Sequence, residues 1–274
     1  MTFTGSLTVL NPLPSTRPPL RAALFDFDGT ISTLRQGWEE IMGPLMVEMI
    51  AGPTAPTPEM QCEVEDYIDH STGVQTIHQM VWLAEAVARY GLNPRVLDPW
   101  EYKAEYARRL AEPVTTRARR IIDGQSVPED FMIAGSRAFL DALCGAGIAL
   151  YVASGSDHAD VVREVGILGL SGCFVEIAGA PPEKMDCSKE AVLRQLVRDA
   201  GLQGAEIAVI GDGRVEIALG REVGAVTLGI ASDDVKRQGI NMAKYRRLSD
   251  AGAHAITGDF SEVNVIMNWL CSDC

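Results

Sequence analysis

Positive charge is what this sequence has too little of. Against 37 acidic side chains stand 24 lysines and arginines, and the formal net charge of −13 sets up a field that repels polyanions. Nucleic acid and anionic membrane surfaces are therefore excluded as expected partners, whereas a small anion is still admitted wherever a local cation pair and a metal overcome that field. Net charge does not set an oligomeric state. Long apolar runs are missing as well: none reaches the length of a membrane span, and the N-terminus has no basic segment leading into an apolar one, so the expected location is the cytoplasm. Paired cysteines are also wanting. Cys62, Cys144, Cys173, Cys187, Cys271 and Cys274 are scattered through a chain large enough to need no staples, so thiols are expected. The C-x-x-C of Cys271 and Cys274 has no second pair and no neighbouring histidine, and reads as a frayed terminus rather than a zinc or redox site.

The 274 residues, 47% of them hydrophobic, suffice for one large domain or two unequal ones. The chain is organised around residues 22–31, A-A-L-F-D-F-D-G-T-I, an apolar strand that stops abruptly in a polar loop. Residues i and i+2 of a strand point the same way, so Asp26 and Asp28 both face whatever lies beyond its carboxyl end. Two crowded carboxylates either keep one proton between them or recruit a divalent cation. Gly29 permits a close turn and Thr30 adds a hydroxyl and a backbone N–H. The set suits a phosphate and a magnesium ion; an ordinary Asp-Gly turn uses the same residues, and the rest of the chain decides between them.

Residues 1–20, with four prolines, read as an arm or edge segment. From Ser32 to about Phe131 apolar residues recur at helical spacing, which predicts helices over 34–50, 58–70, 74–90 and 99–110. Beyond Gly135 helices and apolar strands alternate, with strands at 148–153, 174–178, 207–210, 225–230 and 255–257. The expected fold class is α/β: a Rossmann-like parallel sheet with helices on both faces, plus an inserted all-helical cap. The expected divisions are an arm over 1–20, a core over 21–33 and 132–274, and a cap over 34–131 that hangs above the carboxyl ends of the strands, where ligands of such sheets bind.

Three further clusters fall at those ends. Strand 148–153 runs into Ser154, Gly155, Ser156 and Asp157; Asp157 can cap the next helix, which leaves Ser154 and the N–H groups around Gly155 for a phosphate oxygen. Lys189 sits in the first turn of a helix, the wrong end of the macrodipole for a cation unless an anion compensates, with Lys184 as a rival. Strand 207–210 ends in Gly211, Asp212 and Gly213, with Glu216 four residues after Asp212, so Asp212 can complete an oxygen-ligand set for Mg²⁺.

An acidic pair, a serine, a lysine and a Gly-Asp, in that order from about residue 20 onward, resemble the haloacid dehalogenase-like superfamily, in its phosphatase branch with a C1-type helical cap. The resemblance implies that Asp26 is a nucleophile forming an aspartyl-phosphate and that Asp28 is the acid and base. It implies that Ser154 and Lys189 bind the transferring phosphoryl group, and that Mg²⁺ is held by Asp26, the Asp28 carbonyl and Asp212. Glu216, a further candidate Mg²⁺ ligand, stands where a second aspartate is usual, Lys189 is followed by Glu190 and not proline, and Arg214 lies inside the fourth motif, where it can contact substrate, pair with Glu216 or point to solvent. The expected substrate is a small phosphorylated metabolite such as a sugar phosphate. A phosphosugar mutase uses the same core and is one alternative; a non-catalytic regulatory protein that binds a phospho-ligand is another. Thr30, Ser154, Gly155, Arg35 and His78 are the expected substrate contacts, with Trp38, Glu39, His70, Ser71, Thr72 and Gln75 as further candidates in the cap. Lys103 reads as part of an exposed helix face, and K-Y-R-R over 244–247 as a solvated one.

Overall fold

The computed structural model describes residues 7–14, 16–185, 188–198 and 201–271. Cys187 and Cys274, and with Cys274 the C-x-x-C pairing, lie outside the described residues.

A two-residue strand β1 (Thr8–Val9) precedes β2 (Ala22–Phe25), whose four residues are all buried. Four helices follow: α1 (Glu39–Ala51), α2 (Pro58–Ser71), α3 (Thr76–Tyr90) and α4 (Pro99–Ile122). After a short 3-10 turn come α5 (Ser136–Gly145), β3 (Ala149–Asp157), α6 (His158–Ile167), β4 (Glu176–Ala180) and α7 (Ser188–Arg198). The chain continues through β5 (Ile207–Gly211), α8 (Arg214–Glu222), β6 (Val226–Ile230), α9 (Met242–Asp250), β7 (Ala255–Thr257) and α10 (Val263–Leu270).

The strands form one sheet in the order β1-β7-β6-β5-β2-β3-β4, parallel throughout except for the antiparallel edge β1. Its central strands β2 and β5 carry apolar residues on both faces because helices cover both. One layer packs Phe25, Phe139, Leu150, Ile210 and Phe260 together, and the other packs Leu24, Val192, Leu196 and Val209. Strand β2 lies between β3 and β5, so the motifs ending all three meet at one end of the sheet. The arm is tied down as an edge: the N–H groups of Leu10 and Asn11 both donate to the His254 carbonyl, at 2.9 and 3.0 Å.

The inserted helices α1–α4 enclose a separate apolar core of Met42, Met46, Met60, Leu83, Tyr102 and their neighbours. Two of their boundaries differ from expectation. Helix α1 starts at Glu39, not at 34, because Leu34 is buried against the sheet layer and its carbonyl accepts a 2.7 Å bond from Arg117. Helix α4 runs on to Ile122 through Pro113; a strong start, with Pro99 in the first turn and a capping box between Asp98 and Glu101, and a buried stripe of Tyr106, Leu110, Val114 and Ala118 outweigh the one backbone bond that proline forfeits.

His254, before β7, gives a pH-dependent contribution to stability. Its Nδ1 accepts the Thr227 backbone N–H at 3.1 Å, which demands a lone pair there, and burial, with Arg221 beside it, pushes its pKa down to about 4. The unfolded histidine takes its proton near pH 6.5, so between about 6.5 and 4 the unfolded state binds more protons and stability falls as pH falls. After allowance for solvent screening the contribution is on the order of 1–2 kcal/mol. Urea midpoints of wild type and His254→Asn, followed over that window, are expected to converge toward acid; parallel curves would remove His254 as the cause.

Candidate active site

The sharp turn after β2 places the acidic pair. Asp26 donates its backbone N–H to the Ile210 carbonyl at 2.9 Å, and the N–H groups of Ile31 and Ser32 both fold back onto the Phe27 carbonyl at 2.9 Å. Gly29 adopts φ 76°, and a Cβ there would sit 2.4 Å from Asp212 Oδ2, so only glycine allows the loop to approach the carboxylate at the end of β5.

Lys189 is the hub. Its ammonium lies 3.0 Å from Asp26 Oδ1 and 2.9 Å from Glu216 Oε2, all three side chains being buried, and it also donates to the Gly73 carbonyl at 3.4 Å. The misplaced charge at the start of α7 is thus compensated by two carboxylates from other elements. Burial disfavours the ammonium, but Asp26 and Glu216 outweigh that and hold the Lys189 pKa above its ordinary value. Burial, assisted by Glu216, Asp212 and Asp28, outweighs Lys189 at Asp26, whose pKa is raised well above the usual carboxylate range. Lys184, the rival, is exposed.

Asp28 is held from the opposite side. Its Oδ2 accepts the hydroxyls of Ser154 at 3.1 Å and Ser156 at 2.8 Å. Its Oδ1 is buried without a hydrogen bond, with Arg35 Nε 3.7 Å away. Arg35 in turn grips Glu164 of α6 through two bonds, of 2.7 and 3.1 Å, and Asp160 through one of 3.1 Å. Gly155 lies against the α2–α3 turn, where an added Cβ would come 3.1 Å from the Val74 carbonyl oxygen.

Asp212 meets a second lysine. Lys244 of α9 places its ammonium 2.7 Å from Asp212 Oδ2 and 2.8 Å from both oxygens of Asp234. Arg247, one turn further along, donates to the Asp212 carbonyl at 3.2 Å and pairs with Asp69 of α2 at 3.3 Å. Burial alone would raise the Asp212 pKa, but Lys244 and Arg247 bring it below its ordinary value, while Asp234, less favoured by the same cations, is pushed up to about 6 by burial. Thr30, fully buried, donates its hydroxyl to Asp212 Oδ1 at 3.4 Å.

The carboxylate oxygens of Asp26, Asp212 and Glu216 lie within 4.8 Å of one another, and all three residues are buried. Hard oxygen donors at this density fit Mg²⁺. The fit is uneven: Glu216 spends one oxygen on Lys189 and the other on the Gly213 N–H that starts α8, whereas Asp26 and Asp212 each give only one oxygen to a lysine. Asp26 and Asp212 are thus the better ligands, and Glu216 orients Lys189.

Asp26, Asp28, Lys189, Asp212 and Asp234 line a cavity of about 90 Å³ at the junction of the sheet and the helical insertion, lined also by Arg35, Trp38, Thr72 and Tyr106. The sequence model of haloacid dehalogenase-like hydrolases matches residues 20–224. The chain belongs to that family. No curated protein matches the chain in sequence. Among solved structures, a predicted phosphoglycolate phosphatase from Haemophilus somnus 129pt superposes with a TM-score of 0.61 at 16% identity, covering 90% of this chain and 98% of that one. A predicted phosphatase from Clostridium acetobutylicum gives 0.60 at 16% identity over 92% and 100%. The beta-phosphoglucomutase of Clostridium difficile gives 0.57 at 15% over 92% and 97%. At these identities the likeness is one of fold.

Within this haloacid dehalogenase-like site several expectations are corrected. His78 does not reach the cavity; on the first turn of α3 it points about 100° away from Gln79, and its Nε2 lies 3.2 Å from the Met185 carbonyl. Asp157 makes no capping bond and pairs instead with Lys103 of α4, whose side chain is only 12% exposed, so neither the cap nor the exposed face is observed. Arg214 is exposed and leaves Glu216 to Lys189. Lys244 and Arg247 are buried in the site, not on a solvated helix face. Among the other candidates, Trp38 and Thr72 line the cavity, Gln75 turns to the Lys184 carbonyl and His70 to the Asp66 carbonyl. Among the described residues no helix is long and apolar enough to cross a membrane.

Proposed function

We propose that the chain is a Mg²⁺-dependent phosphatase that hydrolyses a small phosphomonoester through an aspartyl-phosphate on Asp26. The observation that carries this reading is the convergence of Asp26, Asp212 and Lys189, from three different elements, around one small cavity. A structural ion-pair network has no need to gather its charges where a cavity opens.

Each side chain has a role set by its contacts. Asp26, anchored at the end of β2, attacks phosphorus in line with the leaving oxygen, and the difficult displacement is split in two. Lys189, held by Glu216, faces the nonbridging oxygens of the phosphoryl group and meets charge as it develops there. Asp26, Asp212 and the Asp28 carbonyl would hold Mg²⁺, which would supply the positive charge that lets a carboxylate site accept a phosphate dianion. Asp28, fixed through Oδ2 by Ser154 and Ser156, gives a proton to the leaving alcohol and then takes one from water. The α2–α3 turn, which Lys189 touches at Gly73, closes the cavity against bulk water. The volume favours a small substrate over a polymer. We read 34–131 as the cap, and 21–33 with 132–274 as the core that carries the chemistry.

Phosphate release from a panel of sugar phosphates, nucleotides and phospho-acids is expected to require magnesium and to stop when it is chelated. Release that persists in chelator would contradict the reading, and silence across the panel would move it to a mutase or a phospho-ligand binder.

A further inference from the structure

The cavity carries more negative than positive charge. Asp26, Asp28, Asp212 and Asp234 line it, against Arg35 and Lys189. Both cations are already matched: Lys189 by Asp26 and Glu216, and Arg35 by Glu164, fully buried, and Asp160, in addition to the nearby Asp28. One phosphoryl group uses the Lys189 ammonium and the metal. A second anionic group on the substrate would then face carboxylates with no uncommitted cation among the described residues that line the cavity.

What remains of the lining is neutral. Thr33 and Thr76 contribute hydroxyl residues, Gln36 and Gln79 contribute amides of which one atom each is engaged, Gln36 Oε1 by Arg117 at 3.4 Å and Gln79 Nε2 on Ser71 at 3.0 Å, and Trp38 and Tyr106 are its aromatic residues. Amides and hydroxyls that both donate and accept, beside flat apolar surfaces, suit a carbon skeleton bearing hydroxyls, with its polar edges bonded and its C–H faces covered. The adjoining cavity of about 560 Å³ between α4 and α6 does not reverse the balance. Its Lys103 is paired with Asp157 and its Arg163 with Asp160, and Arg119 is exposed. Arg119 lies about 20 Å along α4 from Tyr106, beyond the span of a small leaving group.

We infer that the site selects a phosphomonoester whose leaving group is an uncharged polyol and turns away substrates that carry a second anion, whether carboxylate or phosphate. This rests on the phosphomonoesterase reading above. The selectivity is repulsive in origin: an anion is refused by the surplus carboxylates, and Glu164 and Asp160 prevent Arg35 from accepting it.

The test compares kcat/KM of the full chain, with magnesium, on pairs that share a skeleton: glycerol phosphate against phosphoglycerate, and a hexose monophosphate against the matching hexose bisphosphate. The member of each pair without the second anion is expected to be favoured by about tenfold or more, the scale on which an unmatched like charge discriminates. Glu164→Gln, and Asp160→Asn as a less buried alternative, release part of the Arg35 charge and are expected to narrow the glycerol phosphate to phosphoglycerate ratio by about threefold or more. Equal or better turnover of the carboxylated or bisphosphorylated members overturns this inference alone, as does a ratio unmoved in both variants. No hydrolysis of any member overturns the phosphomonoesterase reading and this inference with it.

Discussion

Asp26→Asn is expected to abolish turnover while making the metal-free protein more stable. The amide keeps the shape and the backbone bond to Ile210 but cannot attack phosphorus, and loss of a covalent nucleophile typically costs at least about 10⁴-fold in kcat. The stability change follows from the raised pKa of the native carboxyl, caused by burial and by Glu216, Asp212 and Asp28 against the opposing pull of Lys189. A native pKa above the unfolded value means that the folded state binds more protons between the two, so stability present in acid is lost as pH rises through the native value. Burial and the neighbouring carboxylates penalise the charged form of Asp26, so in chelator the advantage of the amide over wild type is expected to grow as pH rises. Urea unfolding and steady-state rates on the same preparation check both halves. Retained activity would remove Asp26 as nucleophile, and a less stable variant would show that its ion pair with Lys189 outweighs the crowding.

Lys244→Met carries the largest expected loss of stability. Its ammonium is buried between Asp212 and Asp234, and burial, which disfavours the charge, is outweighed by those two carboxylates, so its pKa is held above the ordinary lysine value. Removing it leaves two carboxylates facing each other without their shared cation, and breaking a buried pair by deleting one partner typically costs about 3–5 kcal/mol. Adding Asp234→Asn removes one of the stranded charges and is expected to recover part of that loss, a coupling that a double-mutant cycle in urea would read. Additive effects would mean that Lys244 acts on Asp212 alone.

Much of this site is legible in the chain because its groups are fixed by strand ends. The i, i+2 spacing of Asp26 and Asp28, the run of β5 into Asp212 and the helix-start position of Lys189 are local patterns, and each appears where expected. Lys244 and Arg247 read as a solvated face because a charge-rich helix does so unless its tertiary neighbours are known. A signal was nonetheless present. Four carboxylates in the motifs need more cation than Lys189 supplies, and Lys244 and Arg247, three apart, share one face of α9 with buried Leu248. Arg35 lines the cavity from the loop before α1, and its partners Asp160 and Glu164 are not legible, since nothing in the spacing of α6 says that its inner face meets that loop. The place of His78 is not legible, because proximity in sequence to the α2–α3 turn does not fix which side of a helix a residue occupies.

The most direct measurement is acid quench of the enzyme during turnover, with magnesium, followed by mass analysis of the peptide containing Asp26. Wild type is expected to show a phosphoryl group on Asp26 at low occupancy. Asp28→Asn, which lacks the base for the second displacement, is expected to accumulate it to a higher level. Turnover with that peptide unmodified in both proteins, or with the phosphoryl group on another residue, would contradict the assignment of Asp26 on which the whole account depends.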